Sequence, residues 1–451
     1  MASTSLSRTP GSSGNRKTWT FSTWVKRGNI SIGNPMNLFG GEDGASTYSD
    51  IMIGTPSGAD DTFWFKQETG VVAELRSTMK LRDPSGWYHL VFVYDSTNAT
   101  ADDRMKMYVN GVQLTDFVTR TNVGLNVDSY VNSNGDVNYV GSYQASSKFF
   151  EGEMAHVHLI DGTAYDASAF GETDATTGIW KPKTAPSVTY GTNGFFLKFA
   201  SSGSMGTDSS GNGNDFTVNG TLTQTQDTPS NVFATLNPLD NYYAGSTFSN
   251  GNCKISTLDT SHGFNISTLG ASTGKYYMEA KLIQGTSSNF AVVGISDLGQ
   301  DASLSEVGED AYEYAYVQGS GNIRTSAIGT SYGATYTTND IIGVAMDLDN
   351  NKLYVSKNGT WQNSADPSAG TGEFTITAPS NTDSGVYHFA VGDWQNTAGS
   401  DGVAIWEANF GNGYFGTTAV ASAGTNASGI GIFEYDVPTG YTALSTKGLN
   451  L

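Results

Sequence analysis

Asp340–Gly359, DIIGVAMDLDNNKLYVSKNG, reads as a buried strand, an acidic turn at Asp347, Asp349, Asn350 and Asn351, and a second strand that leaves through Asn-Gly. Ile342, Val344, Met346 and Leu348 lie two residues apart and therefore on one strand face, while Asn-Gly supplies the positive φ of a tight hairpin. The same plan occurs earlier. Trp87–Asp95 and Met105–Gly111 repeat it, with Leu90, Phe92 and Tyr94 in alternation, a polar loop through Asp102 and Asp103, and an Asn-Gly exit. Two copies of one hairpin plan predict two β-rich domains.

A chain of 451 residues exceeds one ordinary core, so two domains are expected. Glycine is frequent, at 55 residues, and proline scarce, at 11; charged residues make up only 15%, the composition of turn-dense antiparallel sheets. The net charge of -20 opposes contact with nucleic acid, whose phosphates need clustered Lys and Arg. It suits cations or neutral polar ligands instead. The lone Cys253 precludes an internal disulfide framework, and it lacks a neighbouring base or metal-ligand spacing. No run is long and apolar enough for membrane insertion, and the opening MASTSLSRTPGSS has no apolar core of the kind a secretory leader carries.

Along the first half, Thr18–Lys26 alternates with Trp19 and Phe21 on one face and Thr20, Ser22 and Trp24 on the other. Short strands are predicted at Phe63–Lys66, Asn138–Gly141 and Glu151–Ile160, with a helical turn at Asp166–Phe170 capped by Asp166. Trp19–Lys26, Gly86–Asp95, Met105–Val112 and EGEMAHVHLIDG at Glu151–Gly162 together resemble the concanavalin A-like, laminin-G-type lectin fold. GFFLKF at Gly194–Phe199 and DSSGNGNDF at Asp208–Phe216 resemble the segment that opens such a domain, yet here they close it. A circular permutation is the preferred explanation over a truncated second copy. Asp227–Asp240, DTPSNVFATLNPLD, is polar, contains proline, and is predicted to be a connector.

After it, Gly274–Ile283, Phe290–Asp297, the opening hairpin, Val386–Trp394, Asn409–Phe415 and the tail Tyr435–Asn450 resemble the SPRY domain, another sandwich used for binding. The expected fold is thus all-β: two concanavalin A-like antiparallel β-sandwich (jelly-roll) domains in tandem, over 1–226 and 241–451, with 227–240 between. The combination resembles virion surface proteins of tailed bacteriophages: a tail fibre, spike or head appendage. That resemblance implies a homo-oligomer on the virion surface, made in the host cytoplasm, with other virion proteins as neighbours and a host surface glycan or other receptor as ligand. Two rivals stand beside it, a capsid decoration protein and a polysaccharide-degrading enzyme.

For sites, Asp208, Asn212, Asn214 and Asp215 place four side-chain oxygens in a glycine-rich loop, which suits a structural Ca²⁺; ordinary turn chemistry explains the same residues. Asp297, Asp301, Glu306, Glu309, Asp310 and Glu313 run into Tyr312, Tyr314 and Tyr316, either a solvated loop or a recognition loop offering flat apolar faces and acceptors. Tyr312, Tyr314, Trp361, Asp393 and Trp394 are the candidate ligand contacts, with core packing as the alternative for the tryptophans. The paired-carboxylate strand of concanavalin-like glycosidases is not found, so no enzyme activity is expected. His89, His156, His158, His262 and His388 are scattered and read as strand-face histidines with ordinary hydrogen bonds.

Overall fold

The computed structural model describes residues 4–28, 30, 33, 35–43, 47–55, 58–68, 72–144, 146–240, 245–257, 263–299, 307–394 and 402–450. The chain forms two compact units, Met1–Gln224 and Thr225–Leu451.

In the first unit, an eight-stranded sheet runs edge to edge as Phe117–Thr121, Val72–Lys80, Gly58–Glu68, Tyr48–Thr55, Met36–Glu42, Val137–Val140, Ser5–Arg8 and Thr217–Asn219. A six-stranded sheet faces it: Phe195–Leu197, Gly152–Asp161, Thr18–Arg27, Trp87–Asp95, Met105–Val109 and Val112–Gln113. The period-two pattern decides which side chains meet between them. Trp19, Phe21 and Val25 from one sheet bury against Phe39, Ile51, Phe63 and Phe65 from the other. Phe21 stacks on Phe39 with centroids 4.5 Å apart, and Trp19 meets Phe65 edge-on at 5.4 Å. Each such side chain contributes about 1.5–3 kcal/mol by leaving water. The closing segment completes both sheets. Phe195–Leu197 pairs with Gly152–Asp161, and Thr217–Asn219 pairs with Ser5–Arg8, the adjacency of ends that a permuted order requires.

The second unit pairs a nine-stranded sheet with a six-stranded one. The first runs Thr247–Ser249, Lys254–Ser256, Ile405–Asn409, Lys275–Gln284, Ile341–Asp347, Lys352–Lys357 and Thr360–Trp361; Phe374–Thr375 pairs with 352–357, and Thr442–Ala443 lies parallel to 275–284. The other runs Gly263–Ile266, His388–Asp393, Ala291–Ser296, Glu313–Val317, Asn322–Thr325 and Ile328–Ser331. Ile342, Val344, Met346 and Leu348 enter the core, as their spacing predicts, opposite Val293, Ile295, Tyr314, Tyr316 and Phe389. Asn358 and Gly359 take φ of 47° and 76°, the left-handed pair that the hairpin needs, and Asn110 and Gly111 do the same at 47° and 86°. Asp166 caps a short 3₁₀ turn, Ala167–Ala169, by accepting the Ser168 N–H.

One expectation needs correcting. The stretch 227–240 is not a connector but part of the second unit. Ala234 and Leu236 enter its main core, Phe233 enters a second apolar cluster beside Tyr277 and Phe433, and Phe233 and Leu236 bridge to Ser445 and Ser267. Thr235, Asn237 and Pro238 dilute the apolar residues, which hides the alternation of Ala234 and Leu236.

Candidate functional site

The Asp208 loop is tied together by its own hydrogen bonds. Asp208 Oδ1 accepts N–H groups from Phe196 and Ser210, both at about the ideal length, 2.9 and 2.8 Å, and its Oδ2 accepts from Asn214 N and Ser210 Oγ. Asp215 accepts the Asp208 N–H at 2.8 Å. Asn212 and Asn214 turn their amide NH₂ groups toward the carbonyls of Gly191, Thr192 and Gly194, so they serve as donors to the backbone. Arg8 then donates to Asn214 Oδ1 and to Asn193 Oδ1, and its guanidinium is attracted by Asp208 and Asp161. The expected cation site does not fit. Both Asp208 oxygens, Asp215 Oδ1 and Asn214 Oδ1 already accept N–H or O–H donors, and Arg8 from the first strand brings a positive charge to the loop. Among the described residues no group of three or more His, Cys, Asp or Glu could hold a metal ion.

Of the expected ligand contacts, three have other work. Tyr314 is a core residue, 5% exposed, whose hydroxyl accepts the Thr377 N–H. Asp393 is fully buried. Its carboxylate accepts Thr257 Oγ1, Gly263 N and Ala404 N, and burial pushes its proton affinity up to about 7. Trp361 pairs on Lys352–Lys357 and lays its half-buried ring against Tyr277, with centroids 6.2 Å apart. These side chains fill the fold; they do not present themselves at a loop tip.

Tyr312 and Trp394 belong to a different arrangement, a rim at the far edge of the six-stranded sheet. Asn322–Thr325 turns into Ile328–Ser331 through only two residues, Ser326 and Ala327, both left-handed at φ of 49° and 61°. Such a turn favours Asn-Gly; Ser-Ala in it is strained. Ser326 N–H donates to the Asp310 carbonyl and Ala327 N–H to the Gly308 carbonyl, each at 3.0 Å. Glu313 in turn accepts the N–H groups of Gly308 and Asp310, and burial raises its proton affinity to about 7. Tyr312, φ 69°, completes the strained set and packs its half-buried ring against the core. Beside the turn, Arg324 lies 3.9 Å over the Trp394 ring and pairs with Glu309 at 2.5 Å. Asp310, Ala311, Ser326 and Ala327 are exposed on this rim, and so is Ile328, a large apolar side chain 68% accessible. Asp301 and Glu306 lie outside the described residues, so the acidic run is known here only through Asp297, Glu309, Asp310 and Glu313.

The sequence reading named Tyr312, Trp394 and the acids of this rim and did not single out Arg324, Ser326, Ala327 or Ile328. The available signal was a two-residue gap between short alternating runs, concealed because neither residue is Gly or Asn. The described histidines are structural. His89 accepts Trp180 Nε1–H at Nδ1 and therefore donates from Nε2 to Ser22 Oγ, and burial lowers its proton affinity to about 3; His158 meets Tyr190 Oη, and His388 donates to the Ser267 carbonyl. His156 keeps a buried Nδ1 without a hydrogen-bond partner, and His262 lies outside the described residues. Among the described residues no helix is long and apolar enough to cross a membrane.

The profile of the concanavalin A-like lectin/glucanases superfamily, Laminin_G_3, matches residues 2–168. Ran-binding protein 9 of Danio rerio is 34% identical over 90 residues, which is 20% of this chain and 15% of that protein; Ran-binding protein 10 of the same species is 33% identical over an equal length. The matched part is thus a small share of those relatives. Among solved structures, the SPRY domain of human HERC1 is similar at 14% identity over 38% of this chain and 94% of that one, with a TM-score of 0.27. A SAP-like pentraxin from Limulus polyphemus is similar at 16% identity, covering 36% of this chain and 71% of that one, with a TM-score of 0.25. Residues 2–168 thus match a concanavalin A-like lectin profile, and both units are all-β and built of antiparallel sheets.

Proposed function

We propose that this is a non-enzymatic binding protein of a tailed-phage virion surface, a tail fibre, spike or head appendage, whose second unit engages a host surface glycan or other receptor through the Gly308–Ile328 rim. The observation that carries the binding role is the strained rim. Tyr312, Ser326 and Ala327 hold costly backbone conformations together, and strain of about 1–3 kcal/mol per residue persists where the surrounding structure over-determines it. Here the surroundings are Glu313 and the carbonyls of Gly308 and Asp310, and what they present is the exposed Ile328, which register places opposite Thr325, on the other face of the sheet from Arg324.

The virion placement draws its support from the order of lectin-like and SPRY-like modules in one acidic, glycine-rich chain. Copies arranged symmetrically would link weak sites and gain avidity without new contacts. The non-enzymatic reading is supported by how the second unit uses its buried acids: Glu279, Glu313 and Asp393 accept main-chain N–H groups. A second reading, capsid decoration, is favoured by Ile328, since an exposed apolar side chain at a rigid tip also suits a neighbouring protein subunit. Labelled protein on a glycan array and on candidate host cells tests the proposal. Saturable binding supports it; binding only to assembled capsids, with none to cells or glycans, moves the function to decoration.

A further inference from the structure

The outer face of the eight-stranded sheet in the first unit carries a second cluster, independent of the receptor reading. Register places Gly40 opposite Asp50, Glu42 opposite Tyr48, and Asn37 opposite Met52, all on the face turned away from the core residues Ile51 and Phe65. The chain near 142–148 lies along this face: Asn37 Nδ2 donates to the Ser142 carbonyl at 2.8 Å, Asn37 N–H to the Lys148 carbonyl at 2.8 Å, and Gln144 N–H to Glu42 Oε1 at 3.2 Å. Asn37, Asp50 and Ser142 are fully buried, and Glu42 is 7% exposed.

Three buried oxygens here have no hydrogen-bond partner: Asp50 Oδ2, Asn37 Oδ1 and Ser142 Oγ. Leaving such groups unmet is costly, so acceptors gathered this way point to something that supplies positive charge or protons. Two ammonium groups lie on this face, Lys66 directly across from Asp50 and Lys148 at 3.9 Å from Met52 Sδ; both attract Asp50, but neither hydrogen-bonds the three oxygens. Lys148 sits 4.0 Å over the Tyr143 ring, and Lys66 is taken by Tyr48 Oη at 2.7 Å and Glu68 at 2.9 Å. Gly40 makes the arrangement possible, because a Cβ there would stand 3.2 Å from Asn37 Nδ2 and would collide with Asp50 Oδ1.

We propose that Asp50, Asn37, Glu42 and Ser142 form a binding site for a hard divalent cation of the Ca²⁺ class. All four offer oxygen, and a cation of about six to eight ligands would complete its shell with main-chain carbonyls or water. Two carboxylates set in one buried place repel each other. Burial first, and Glu42 second, hold the Asp50 carboxyl well above its ordinary range, while burial raises Glu42 to about 7. A bound cation would offset the same repulsion that otherwise recruits a proton.

The test uses the full chain at constant ionic strength, with CaCl₂ against a chelator, and terbium luminescence sensitised by nearby tyrosines. The site predicts a saturable, chelator-reversible rise in Tm and saturable terbium emission. Both should weaken by about tenfold or more in Asp50→Asn and in Glu42→Gln, the less buried of the two and the safer for folding. They should persist in Asp215→Asn, which alters the Asp208 loop. No saturable response up to about millimolar Ca²⁺, as expected if water alone satisfies these oxygens, would overturn the site. So would an undiminished response in a folded Glu42→Gln protein, or loss of the response in Asp215→Asn.

Discussion

Ser326 and Ala327 show how a single turn can carry functional information. Replacing them by Asn-Gly keeps the hairpin and removes the left-handed penalty, so S326N/A327G should gain about 1 kcal/mol in urea denaturation. No gain would mean that the turn is unstrained. Arg8 makes the opposite case. Its charge-assisted bonds hold the Asp208 loop, so Arg8→Ala should cost about 1–3 kcal/mol in the same measurement; a loss below a few tenths of a kcal/mol would show that the loop holds itself. This is also where sequence reading failed for a physical reason. Asp and Asn serve a cation and a turn with the same oxygens, and the residue that decided between them, Arg8, stands 206 positions from Asn214. Trp361 and Tyr314 were ambiguous in the same way, because an aromatic ring suits a core and a binding face alike.

Elements were legible where alternation was uninterrupted. Thr18–Arg27, Trp87–Asp95 and Ile341–Asp347 follow their pattern, and the Asn-Gly pairs that end the partner strands of the last two, Asn110-Gly111 and Asn358-Gly359, adopt the left-handed angles expected of them. The strands Met36–Glu42, Tyr48–Thr55 and Val72–Lys80 went unread: MNLFGGE carries two glycines and a bulge between Asn37 and Phe39, and VAELRSTMK mixes charge with helix-forming residues. Glu279, in the middle of Lys275–Gln284, was silent in sequence and decisive in packing. It accepts the N–H groups of Glu434 and Tyr435 and so ties the late segment to the sheet. Burial raises its proton affinity to about 7, as it does for Glu313 and Asp393. The folded state therefore binds protons more tightly than the unfolded chain, whose carboxyls titrate near 4–4.5. The stabilisation is fully present below that range and is lost as pH rises through about 7. Urea midpoints for residues 225–451 should accordingly fall between pH 5 and pH 8. In Glu279→Gln the slope should be shallower; an unchanged slope would remove Glu279 from the account.

At the scale of the molecule, the two sandwiches were legible because each repeats one hairpin plan, and the end of the first was read at 226, but the start of the second was placed too late, at 241. The border falls between Gln224 and Thr225, and the segment after it packs into the second core. A fragment 225–451 should fold. A fragment 241–451 lacks Phe233 and Leu236, two buried side chains whose loss costs about 2–5 kcal/mol each, and should be far less stable by circular dichroism and thermal melting. Equal stability of the two fragments would restore the connector. Receptor engagement by the Gly308–Ile328 rim of this second unit is tested by comparing binding of the wild type and Ile328→Ser to the same host cells and glycan array, with matched Tm and oligomeric state. Wild-type binding that is saturable and falls at least tenfold in a fully folded Ile328→Ser protein is the predicted result, and binding of equal strength by both would contradict it.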